Sequence, residues 1–333
     1  MQRNTTWDVM KGIGIFLVVF GHVVHVPWLR TYIWGFHMPL FFFISGVLFN
    51  KDKYPDLLSF IKNKCSKILI PYTLFYGITF MYWAFVERHY RGGDLTLLSQ
   101  FLGLFYGTYD VRFMFFNGAL WFLPCLFSIE LLYYFISKLE VHPLYQLLLL
   151  FGLGGLGLFL SNIAAWLPFG ICAACIGLVF YGVGNILRDK IFYYKLNSCW
   201  KALFLAVSCV VLQVICLPYT GCDFALLQFK NIWGMVPIAF VGIILCFALA
   251  TLFRNNYVLR VLGINTLVFF AFQEQTYRAV LFLYSWSSNI PVEILRNNII
   301  HSFIVTIVVF ILIFPMANIW NRYVAPIIGR LSK

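Results

Sequence analysis

An apolar stretch from Trp7 to Pro27, W-D-V-M-K-G-I-G-I-F-L-V-V-F-G-H-V-V-H-V-P, carries the ionisable side chains Asp8, Lys11, His22 and His25. Titratable groups in hydrocarbon are costly, and by default they mark a functional site. Lys11 and His22 stand eleven residues apart. At about 100° and 1.5 Å per residue this returns to nearly the same helix face after about 16.5 Å, roughly half the hydrocarbon thickness. One helix face thus sets a fixed cation toward one surface and an imidazole deep toward the other. Imidazole is the usual general base near neutral pH. The pattern suits a reaction whose two substrates arrive from opposite sides.

The elements that must position these groups follow from composition. The chain has 333 residues, 62% hydrophobic and only 11% charged, with mean hydropathy +0.86. A soluble domain is about half apolar and a quarter charged, so the chain is expected to be an all-α, polytopic bundle forming a single domain over 1–333. Ten spans are predicted, at 7–27, 32–50, 68–86, 118–137, 144–160, 167–187, 202–217, 232–253, 258–284 and 298–320. With the N-terminus inside, 17 of the 24 Lys and Arg, from Arg3 to Lys333 and including Lys195, fall on the inner side. That asymmetry predicts both termini in the cytoplasm. The net charge of +12 therefore reads as topology and anionic-lipid contact, not as a nucleic-acid surface. The apolar start holds Lys11 and His22 and lacks a small-residue cleavage site, so it does not read as a cleavable signal.

Other stretches could also carry chemistry. The second span, I-W-G-F-H-M-P-L-F-F-F-I-S-G-V-L-F, places His37 near its outer end and Ser45-Gly46 deeper, where small residues also serve close helix packing. An inner loop, Lys51–Lys67, ends in F-I-K-N-K-C-S-K-I-L-I-P-Y. Its Lys62, Lys64 and Lys67 are either a positive-inside stop signal or a cationic patch for a phosphorylated cofactor. The outer segment Glu87–Asn117 mixes aromatics with Asp and Arg, and is too apolar for a solvated loop and too interrupted to span. It is expected to dip into the outer face, as an interfacial aromatic belt or a carbohydrate platform. The fourth span opens with Trp121 and buries Glu130. In the ninth, L-G-I-N-T-L-V-F-F-A-F-Q-E-Q-T-Y-R-A, Glu274 and Arg278 are i,i+4 partners. They either neutralise each other or, with Gln273, line a polar cavity for an acceptor. Cys172 and Cys175 form C-x-x-C in an apolar helix, which suits packing better than metal or redox work. No metal site is expected.

The stretches K-G-I-G-I-F-L-V-V-F-G-H, F-H-M-P-L-F-F-F-I-S-G-V-L-F, F-I-K-N-K-C-S-K-I-L-I-P-Y, L-W-F-L-P-C-L-F and L-G-I-N-T-L together resemble the acyltransferase-3 membrane O-acyltransferases, and within them the fucose-4-O-acetylase-like branch. The resemblance runs from the first span to the ninth. It implies about ten helices in a bacterial cytoplasmic membrane, acyl-CoA (most simply acetyl-CoA) as cytoplasmic donor, and a glycan or glycolipid hydroxyl as acceptor. Position by position, Lys11 stands where the family has Arg or Lys, and His22 where it has its essential histidine. Lys62, Lys64 and Lys67 fall in its arginine-rich patch, with ammonium replacing the bidentate guanidinium fork. Gln273 stands where this branch often has histidine. On this reading Lys11 and the three loop lysines bind the donor, and His22 is general base on the acceptor. His25 and His37 orient His22 or touch the sugar. Trp121, Glu130, Asn265, Glu274 and Arg278 are acceptor or orienting candidates, and Ser45, Trp121 and Asn265 are candidate oxyanion donors. The rival readings are a transporter, for which intramembrane charges and broken helices are equally expected, and a non-catalytic sensor or polymer-export module without acyl transfer.

Overall fold

The computed structural model describes residues 5–164, 167–193, 198–219 and 221–331. Arg3, Lys195 and Lys333, counted above among the inner cations, lie outside the described residues. The described chain is helical almost throughout. In order the helices are α1 Thr5–Val23, α2 Pro27–Trp34, α3 His37–Leu48, α4 Leu57–Lys64, α5 Ile70–Phe85, α6 Leu97–Tyr106, α7 Val111–Met114, α8 Phe122–Lys138, α9 Pro143–Ala164, α10 Ile171–Ile186, α11 Arg188–Tyr193, α12 Cys199–Cys216, α13 Ile232–Leu252, α14 Tyr257–Ile264, α15 Thr266–Ser288, α16 Val292–Asn297, α17 Ile299–Ile319 and α18 Ala325–Leu331. The described strands, Cys222–Asp223 and Gln228–Phe229, form one short antiparallel pair. The architecture is an all-α polytopic bundle, as composition requires.

Among the described residues nine helical stretches are long and apolar enough to cross a membrane. The exception among the ten expected spans is the ninth. It breaks at Asn265 into α14 and α15, and the 23-residue α15 carries Gln273, Glu274, Gln275 and Arg278 in mid-helix. Boundaries also move. The first span ends at Val23, and the second begins at Pro27 instead of 32. Pro27 opens α2, where its missing N–H would have had no helical partner in any case. Residues 57–67, expected as loop, are helical. Asp56 and Ser59 make a reciprocal capping box, and one 29-residue stretch runs from Leu57 to Phe85. Within it a π-turn, Cys65–Leu69, ends two residues before Pro71. Proline offers no N–H to the fourth preceding carbonyl and its ring crowds that group, and a widened turn relieves both. A second π-turn, Trp320–Val324, precedes Pro326 in the same way and lets the last span run on to Arg330.

The chain divides into two compact units, each with its own packing. The first comprises Met1–Val47, Leu187–Phe224 and Gln228–Ala317. Here α1 and α14 touch backbone to backbone. A Cβ added at Gly12 would lie 1.9 Å from the Leu259 carbonyl oxygen, and one at Gly263 only 1.7 Å from that of Asp8. Only hydrogen fits at either place, which is how membrane helices gain van der Waals contact where lipid offers no hydrophobic drive. Further along, Phe16 stacks on Phe310 and meets Phe303 edge-on, while Phe269 meets Phe310.

The second unit comprises Leu48–Ile186, Ala225–Leu227 and Asn318–Lys333. Its π-turns are joined by Ser66 Oγ donating to the Ile328 carbonyl at 3.0 Å and by Phe75 stacked on Trp320. The Glu87–Asn117 segment is folded around Gln100, which is fully buried. Its amide nitrogen donates to the Val111 and Arg112 carbonyls, and its oxygen accepts from the Phe115 N–H. Tyr76 donates from below to the Gln100 and Phe113 carbonyls. The outward side of α6 is a stripe of Leu98, Phe101, Leu102 and Phe105 at helical spacing. Gln100 is thus turned inward and the apolar side chains of α6 outward.

Candidate functional site

In the first unit, α1 is unbroken between Lys11 and His22. Eleven residues of regular helix therefore leave the two side chains about 20° apart around the axis. Lys11 is partly buried beside the Gly12 crossing with α14. His22 lies in the last turn, partly buried, its ring centroid 5.6 Å from that of Trp34. Trp34 also lies 6.1 Å from His37 and carries the Arg30 guanidinium 4.1 Å over its ring. One indole thus has two imidazoles and a cation around it. The charged groups that bear on His22 are Glu274, Arg30, Asp223 and Arg296.

His37 is buried, and its Nδ1 lies 3.0 Å from the Ile33 carbonyl. A carbonyl only accepts, so Nδ1 carries a proton and donates it to Ile33. His25 lies beyond the helix in the turn between the first two spans, and its N–H donates to the Arg296 carbonyl at 2.8 Å. Burial first, then the Arg296 and Arg30 charges, push its imidazole down to about 4. His25 is therefore neutral at physiological pH.

Two groups near this end of α1 carry no signature of their own in the sequence. Arg296, in the sequence just one more loop cation, donates from Nη2 to the His22 carbonyl at 2.6 Å and from Nε to the Val23 carbonyl at 2.9 Å. Trp34 Nε1 donates to the Gly21 carbonyl at 3.1 Å. An R-N-N following a short apolar helix gives no hint of either bond; the partners meet only in the fold.

On α15, Arg278 and Glu274 form the expected i,i+4 ion pair at 2.9 Å, both side chains largely buried. Arg278 and Arg296 both lie within 6 Å of the Tyr277 ring, at 5.9 and 5.7 Å. Gln273 is fully buried, and neither amide atom has a hydrogen-bond partner among the described residues. Asn265 stands at the break between α14 and α15, where its amide donates to the Val261 carbonyl at 2.8 Å. It closes the end of α14.

In the second unit, the three lysines of the α4 region do not behave alike. Lys62 and Lys67 are exposed. Lys64 turns inward, with its ammonium 2.7 Å from the Glu130 carboxylate of α8 and both side chains nearly buried. The rings of Phe49, Tyr54 and Phe60 lie around that ammonium at 5.7–6.0 Å. The Tyr181 hydroxyl is buried beside Glu130. Lys64 and Glu130, expected to serve two different substrates, thus neutralise each other. Trp121 is buried at the end of the 3₁₀ turn that opens α8, edge-on to Phe122. Cys172 and Cys175 are free thiols buried in α10.

Among the described residues no cluster of three or more His, Cys, Asp or Glu is placed to hold a metal ion. No curated protein and no solved structure matches the chain significantly. The family model for the acyltransferase domain of the acyltransferase-3 proteins matches residues 4–318, nearly the whole chain. It takes in α1 with its lysine and histidine, the α4 lysines and α15 alike, so the chain is a multi-pass membrane protein of the acyltransferase-3 family.

Proposed function

We propose that this acyltransferase moves an acyl group, most simply acetyl, from cytoplasmic acyl-CoA to a hydroxyl of an envelope or exported glycan, as in the fucose-4-O-acetylase-like branch. The observation that carries the reading is the pairing of Lys11 and His22 on one face of an uninterrupted helix in a chain of acyltransferase family. The enzyme sits in a bacterial cytoplasmic membrane with both termini inside. Membrane lipid surrounds it, and no metal enters the chemistry.

His22 takes the proton of the acceptor hydroxyl, which attacks the thioester carbonyl. The C–S bond breaks, and the thiolate leaves with the proton returned by the imidazolium. General-base assistance of this kind is worth about 10²–10⁴-fold. Lys11 meets the donor from the α1 side. Lys62 and Lys67 offer their charges to CoA phosphates, whereas the charge of Lys64 is already matched by Glu130. His37, His25 and the Trp34 indole shape the acceptor side of His22. Glu274 and Arg278 contribute polarity there.

The test follows thiol release from acetyl-CoA by purified protein in lipid nanodiscs, with and without candidate glycans. Saturable release that His22→Ala abolishes supports the catalytic imidazole. A raised KM with kcat kept in Lys11→Ala places Lys11 on the donor. No release above empty discs with any sugar, together with no acetyl-CoA binding, overturns the reading in favour of transport.

A further inference from the structure

Resting on His22 as the base, we propose that Arg296 is a positioning residue that locks the last turn of α1 and so sets where the imidazole stands. The last four carbonyls of a helix have no partner within it, and the end of a helix is where it frays. In α1 all four are accounted for. The Phe20 carbonyl accepts from the Val24 N–H at 2.8 Å, which continues the helix by one bond. The other three are held from outside: Gly21 by the Trp34 indole, and His22 and Val23 by the two nitrogens of one Arg296 fork.

The contact is reciprocal. The Arg296 carbonyl accepts from the His25 N–H at 2.8 Å, so chain entering and leaving the His22 turn is tied to the same residue. Arg296 is itself braced. Leu295 beside it is fully buried, Ser302 Oγ donates to the Arg296 carbonyl at 3.2 Å, and the guanidinium lies over Tyr277. A planar cation at a helix C-terminus also opposes the negative end of the helix dipole. None of these bonds uses the His22 ring. The backbone of His22 is fixed while its imidazole stays available, which is what a base needs. Displacing a catalytic group by about 1 Å costs on the order of 10²-fold in rate.

The experiment uses the full-length protein in nanodiscs and the thiol-release assay. Arg296→Ala is expected to lower kcat by about 10²-fold with KM for acetyl-CoA within twofold of wild type. Arg296→Lys, which keeps the charge but lacks the planar two-nitrogen fork, falls between. Millimolar guanidinium ion restores part of the Arg296→Ala rate. Trp34→Phe keeps a ring beside His22 but frees the Gly21 carbonyl, and lowers kcat by a smaller factor. Hydrogen exchange at the Val24 and His25 amides, followed by mass spectrometry, reports the clamp without any turnover: both exchange faster in Arg296→Ala. Unchanged exchange overturns the clamp. Faster exchange with wild-type kcat, or a kcat loss that neither lysine nor guanidinium relieves, overturns the positioning role. If wild type releases no thiol, the acyl-transfer reading fails, and the exchange result still decides the clamp.

Discussion

The end of α1 and the helix that starts at Leu57 each draw a cation inward, and they use it differently. At α1 the Arg296 guanidinium meets uncharged carbonyls and leaves the neighbouring imidazole without a task. At α4 the Lys64 ammonium meets a carboxylate inside an aromatic pocket, so both charges are spent on each other. The first arrangement fixes the end of a helix; the second joins α4 to α8. A cation near a membrane helix end is thus informative only once its partner is known. Arg296 had no motif and stands beside the proposed base. Lys64 stood in a motif and is neutralised.

The sharpest way to break this comparison is to remove one partner from the second region. Glu130→Ala leaves the Lys64 ammonium buried without a counter-charge, and stability is expected to fall by about 3–5 kcal/mol. The double variant Lys64→Met/Glu130→Leu recovers most of that loss. Thermal unfolding in nanodiscs reads both. If Glu130→Ala melts as wild type does, the pair is not a structural joint.

A smaller effect is expected at the α1–α14 crossing, which carries the first region. Gly263→Ala drives a Cβ against the Asp8 carbonyl, and overpacking of this kind costs about 1–3 kcal/mol. Gly152→Ala is the control, since a Cβ there meets nothing within 4 Å. The two variants should differ in unfolding midpoint, with only Gly263→Ala also losing turnover.

Acidification tests the turn tied to Arg296. His25 is held neutral down to about 4 in the folded protein, against about 6.5 when unfolded. The unfolded state therefore binds the extra proton between those values. Stability is intact above pH 6.5, is lost as pH falls toward 4, and levels off below. After allowance for partial solvent exposure the loss is on the order of 1–2 kcal/mol. His25→Gln should flatten the unfolding-midpoint profile across that window; an unchanged profile would remove His25 from the account.

The smallest expected change separates the lysines of α4. Lys62→Ala and Lys67→Ala should each raise KM for acetyl-CoA by roughly 2–5-fold, more at low salt than at high salt, with kcat kept. Lys64→Ala should act chiefly on stability. Equal KM effects from all three would mean that Lys64 leaves Glu130 when donor binds.

Much of the molecule is legible in local sequence pattern. Apolar runs of membrane length, the Lys11–His22 spacing and the Glu274–Arg278 interval are local patterns, and helical geometry converts them directly into position. The sequence also contains the causes of the revised boundaries, in Pro27, Asp56 with Ser59, and Pro71: the charge of the inner segment suggests a loop, whereas its caps specify a helix. What local pattern could not supply were partners far apart in the chain. Arg296 and His22 are separated by 274 residues, and no periodicity or spacing links them. The choice between Lys62, Lys64 and Lys67 is of the same kind, since all three belong to one basic run and only packing against α8 turns one of them inward. The sequence by itself determined the helices, their apolarity and the residues able to do chemistry, because those depend on interactions within a few turns. Only the tertiary structure decided which cation is spent, which is aimed at a backbone and which stays exposed, because a charge takes its role from whatever distant group desolvates or neutralises it.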